Sequence, residues 1–144
     1  MDRSEILKNI LGHLKTEVPE LQKVKAYEGE LRAGDEKFLD ETKGVFPCVL
    51  AVWDNRKSSG EKGTLAGQKN EIVFFLAMKD FAASDREEPT IYPLLDNMKS
   101  KLDRYRPELP GVGELQYKGD RHVAHNSFYV LYEQRFTVAE GLPV

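Results

Sequence analysis

The spacing of apolar residues switches between helical and strand periods along the chain, and the switches outline its elements. Ile6, Leu7, Ile10, Leu11, Leu14 and Val18 recur at intervals of three and four, the stripe of an amphipathic helix. Asp2 and Glu5 stand three apart, as in a capping box, with Asp2 in place of the usual Ser or Thr. Pro19 ends the stripe, because the residue before a proline is pushed out of the α region. The pattern predicts a helix over 3–17 with one buried face. Lys23 to Tyr27 then alternates polar and apolar, which predicts a short half-buried strand. Residues 28–44 are polar and contain Gly29, Gly34 and Gly44, with a helical turn expected around Glu36–Glu41.

Val45–Trp53 and Ile72–Met78 are apolar at nearly every position, so both faces of these strands expect cover. In the first, Phe46, Cys48, Leu50 and Val52 share one face, and Val49, Ala51 and Trp53 share the other. In so small a chain, a second subunit is a source of part of that cover. Pro47 belongs at the strand start or on an edge, since proline has no N–H for the ladder. Between the two strands, Asp54–Asn70 carries Gly60, Gly63, Gly67, two serines and the cations Arg56, Lys57, Lys62 and Lys69. Connections longer than about 12–15 residues without structure of their own are commonly functional or disordered. This segment is therefore expected to be a functional or disordered loop, and it is the most informative one in the sequence.

Residues 80–89 read as a polar turn. Ile91, Leu94, Leu95, Met98 and Leu102 predict a second helix over 90–104, with Pro93 in its first turn. Lys99, Lys101 and Arg104 complement its C-terminal dipole. Pro107, Pro110, Gly111 and Gly113 mark a loop. Leu115–His125 and Phe128–Ala139 predict a hairpin, its first arm kinked at Gly119-Asp120. On the second arm Val130, Tyr132, Phe136 and Val138 face one side. Tyr129, Leu131, Glu133, Arg135 and Thr137 face the other, a more mixed surface. The order predicts an α+β domain: an antiparallel, or mixed, sheet of about four to five strands packed with two main helices, with a long loop between two central strands.

Composition narrows the classes. A chain of 144 residues is expected to form one domain over 1–144. Its 21 Lys and Arg against 24 Asp and Glu leave a net charge of −3, unlike a protein that lives on phosphate backbones. One cysteine, Cys48, cannot form an intrachain disulfide. The longest apolar run, Val45–Trp53, is well short of the ~18 residues of a membrane span, and the N-terminus lacks a signal-peptide core. A soluble, intracellular protein is the expectation.

Candidate chemistry is sparse. His122 and His125 form H-x-x-H, but an odd offset on a strand sends two rings to opposite faces, so no shared metal is expected. His13 lies on the polar side of the first helix and reads as solvated. Gly60-Glu61-Lys62-Gly63-Thr64 lacks the adjacent Lys-Ser/Thr of a phosphate loop, and the element after it reads as a strand. Gly111-Val112-Gly113 would need a third glycine at Gln116 for a dinucleotide fingerprint. Cys48, among apolar strand residues, reads as a small hydrophobe rather than a nucleophile. The acidic residues of 35–41 and 85–88 read as solvated loop charge. The strand aromatics lack the interleaved cations of a nucleic-acid platform. No catalytic residue, cofactor or metal is assigned, and the chain is not expected to be an enzyme.

Several local patterns occur in a fixed order. Val24-Lys25-Ala26-Tyr27-Glu28-Gly29-Glu30-Leu31 follows the first helix, and Phe46-Pro47-Cys48-Val49-Leu50 precedes the variable loop. Ile91-Tyr92-Pro93-Leu94-Leu95-Asp96 starts the second helix, followed by Leu109-Pro110-Gly111. The terminal strand reads Tyr129-Val130-Leu131-Tyr132-Glu133-Gln134-Arg135-Phe136-Thr137-Val138. Together, over nearly the whole chain, they resemble the tail-terminator or tail-completion proteins of Mu-like contractile-tailed phages and prophages. The resemblance implies a structural role in the virion tail, assembled in the bacterial host cytoplasm. It implies a sheet packed with helices and a homo-oligomeric ring, typically sixfold, on the head-proximal end of the tail tube. The tail tube protein and a head-completion protein would be its partners, with neither membrane nor direct nucleic-acid binding required. By that analogy Arg56, Lys57, Gly60, Lys62, Gly63 and Lys69 belong to an assembly loop. Ring closure is expected at the strand surfaces around Val49–Trp53 and Ile72–Met78, with Trp53 and Phe75 at the subunit interface. The alternatives are another virion connector, such as a head–tail joining protein, and, further off, a small ligand-binding domain or enzyme.

Overall fold

The computed structural model describes residues 3–26, 46–54, 68–79, 91–125 and 129–140, apart from the side chains of Asp54, Gln68 and His125. Helix α1 spans Arg3–Glu17, as its apolar stripe and Pro19 require. Strands β1 (Lys23–Ala26), β2 (Cys48–Asp54) and β3 (Gln68–Lys79) follow. Helix α2 (Ile91–Leu102) precedes strands β4 (Gln116–His125) and β5 (Tyr129–Glu140). Pro93 is the third residue of α2, where its missing N–H costs nothing. The proposed turn around Glu36–Glu41 lies outside the described residues.

The five strands form one sheet in the order β1-β2-β3-β5-β4. Its ladders are antiparallel except for β1 and β2, which run parallel, so the sheet is mixed and the fold is α+β. A parallel pair needs a crossover of a dozen residues or more, and residues 27–47 supply that length.

Both helices pack on one face. Ile6, Ile10 and Leu14 of α1 and Leu95 and Met98 of α2 meet Val49, Ala51, Ile72, Phe74, Leu76, Phe136 and Val138 of the sheet. Phe74 and Phe136 touch edge to face, with centroids 5.6 Å apart. Burying each large apolar side chain contributes roughly 1.5–3 kcal/mol. The other face holds a smaller cluster of Cys48, Leu50, Ala77, Tyr129 and Leu131, with Phe46, Phe75, Val123 and Ala124 packed against it. The expected division of β2 and β5 into two faces is the observed one. Cys48, Leu50, Tyr129 and Leu131 are fully buried within a single chain, so this cluster needs no second subunit for cover.

Three features differ from expectation for physical reasons. Strand β3 starts at Gln68 rather than Ile72, because Gln68, Lys69 and Asn70 pair with Glu140, Ala139 and Val138 of the equally long β5. Asn70 is buried there and donates to Glu140 Oε1 at 2.8 Å. Lys69, assigned to the loop, is therefore a strand residue. Secondly, His13 is not simply solvated. Its ring stacks on Tyr105 at 3.7 Å, and its Nε2 donates to the Lys101 carbonyl at 3.0 Å. The Tyr105 hydroxyl donates in turn to Asn9 Oδ1 at 2.6 Å, so a polar flank of α1 is tied to the end of α2. Thirdly, the turn after α2 is closed by Arg104 at φ 68°, whose N–H donates to the Leu115 carbonyl at 2.7 Å.

Candidate assembly surface

A subunit that joins others can use sheet edges or sheet faces. The edges here belong to β1 and β4, whereas β2 and β3 are interior strands with a neighbour on each side. The expected closing surfaces around Val49–Trp53 and Ile72–Met78 therefore offer no free strand edge. Both end strands carry features that obstruct strand addition. Strand β1 has four residues, with Lys23 and Lys25 among them. Strand β4 is charged and departs from regular register twice, between Tyr117 and Gly119 and between His122 and Ala124. Gly119 sits at the first irregularity with φ 151°.

The second irregularity corrects the argument about the histidines. His122 pairs with Tyr132, and its ring lies 5.2 Å from that of Tyr132 on the helix face. Val123 and Ala124 both pack against the opposite cluster. The extra residue breaks strict alternation, and His125 pairs with Val130, two residues from Tyr132 on β5. The regular alternation that the odd-offset argument assumed is therefore interrupted in the backbone register, and a sequence shows no bulge here. Among the described residues no group of three or more His, Cys, Asp or Glu is placed to hold a metal.

The face away from the helices carries a line of charge. Arg121 of β4 donates from Nε to Glu133 Oε1 of β5 at 2.7 Å. Arg135 of β5 donates to the same oxygen from Nε at 3.0 Å and, from its other end, to Glu71 of β3. The ion pairs run from Arg121 on β4 through Glu133 and Arg135, two residues apart along β5, to Glu71 on β3. The side chain of Glu133 is only 3% exposed, Glu71 13% and Arg135 27%, while Arg121 is 69% exposed. Burial pushes the Glu133 carboxyl up, but the hydrogen bonds and charges of Arg135 and Arg121 outweigh it and hold it below its ordinary value. Burial alone would lower Arg135, but Glu133 and Glu71 raise it. The alternation of β5 already showed this face as mixed. The pairing with Arg121 and Glu71 was invisible without the register.

On the helix face, α2 and β4 frame a polar and aromatic rim. The hydroxyls of Tyr92 and Tyr132 share a hydrogen bond at 3.0 Å, and burial, then Tyr92, pushes Tyr132 up to about 12. Burial, then Asp120, pushes Tyr117 up to about 12, and the Lys99 ammonium lies 4.3 Å from its ring centre. Buried Gln134 donates from Nε2 to the Leu95 carbonyl at 3.0 Å and to Asp120 Oδ1 at 2.9 Å, joining α2 to the end strand through β5.

The residues singled out by sequence do not gather in one place. Arg56, Lys57, Gly60, Lys62 and Gly63 lie outside the described residues, and Lys69 is exposed in β3 opposite Ala139. Trp53 is half-buried against the main core, with the Arg3 guanidinium 5.9 Å from its ring centre. Phe75 is half-buried on the opposite face, paired with Leu50 on one side and Glu133 on the other. Trp53 and Phe75 thus belong to different surfaces. Cys48 is fully buried, and burial raises its thiol to about 11, so it stays protonated at neutral pH. No helix among the described residues is long and apolar enough to cross a membrane. No protein-family model matches the chain, and a search of the curated proteins finds no match.

Proposed function

We propose that the chain is a structural protein of a phage or prophage tail. As a ring it caps the head-proximal end of the tail tube, stops tube growth and presents the surface for head joining. Its partners are other copies of itself, the tail tube protein and a head-completion protein. It assembles in the bacterial host cytoplasm and works in the virion without cofactor or catalysis.

The resemblance in the order of local patterns supplies the reading, and the α+β sheet packed with two helices agrees with the fold that the resemblance implies. The observation that carries it furthest is the pair of obstructed sheet edges. A terminator must join the last tube ring and refuse a further subunit. End strands that are short, charged or bulged resist open-ended strand addition, which suits an assembly that closes.

Light scattering and electron microscopy of the protein mixed with tail tubes test the proposal. Rings at one tube end are expected. A protein that stays monomeric at high concentration and leaves tube ends bare overturns it. Deleting the gene from a producing phage should give tubes of uncontrolled length and headless tails. Tails of normal length without heads would mark a joining protein instead.

A further inference from the structure

We draw no further inference here: the strongest candidate, the polar and aromatic rim that α2 and β4 frame around Tyr92, Tyr132, His122 and Asp120, carries none, because its unpartnered acceptor among the described residues, Gln134 Oε1, is buried away from the surface and nothing in the structure shows what covers the rim.

Discussion

Arg104 sits in the left-handed region with φ 68°, where a side chain costs about 1–2 kcal/mol and glycine fits freely. Glycine also loses more chain entropy on folding, by roughly 0.5–1 kcal/mol. Arg104→Gly is therefore expected to stabilise the protein by about 0.5–1 kcal/mol in urea denaturation. Loss of stability would show that the Arg104 side chain holds the turn through contacts of its own. Cys48 gives a second expectation at this scale. A fully buried thiol raised to about 11 should be inert to Ellman's reagent in the native protein and titrate fully on unfolding. Its role was readable in the sequence because its strand is apolar on both sides. The role of His13 was not, because its partner Tyr105 lies far along the chain and the contact depends on how two helices meet.

At the level of elements, helices and strand faces were legible because each rests on a local period. The ends of α1 follow from Pro19 and its stripe, and the two faces of β5 from strict alternation. Strand length and bulges were not legible. Gln68-Lys69-Asn70 has a polar, loop-like composition and becomes strand only because β5 runs on to Glu140. The extra residue near Val123 is likewise a product of pairing. The charge row is an element-scale device and its acid response follows from its signs. Glu133 is held below its unfolded value, so its contribution is present at neutral pH and fades as pH falls through the native value. Glu133→Gln should lower stability at neutral pH by about 1–3 kcal/mol and flatten the acid side of the stability–pH curve. An unchanged acid slope would mean that other carboxylates dominate it. Phe136, buried between Phe74 and Tyr117, should cost about 3–5 kcal/mol on replacement by alanine, read by thermal or denaturant unfolding.

For the whole molecule, the sheet divides the labour between its two sides. One side is occupied by α1 and α2 and holds the main core. The other combines a small apolar cluster with the charge row. The α+β class was legible from the order of elements, whereas the strand order was not, because nothing local tells β5 to insert between β3 and β4. The register of β2 on β3, with Trp53 opposite Ile72 and Phe75 opposite Leu50, places the two aromatic interface candidates on opposite sides.

The position of β5 has a consequence for synthesis. The ribosome makes β1, β2 and β3 first, and β4 before β5, yet β5 is the strand that joins β4 to the rest. Until residue 140 has left the exit tunnel, the long edge of β3 has no partner and β4 has no sheet to join. Folding of this sheet must therefore finish after β5 has been translated, with an apolar edge exposed meanwhile. A chain stopped before Tyr129 should be recovered as insoluble protein. A soluble truncate with a cooperative unfolding transition would show that the remaining elements fold without β5.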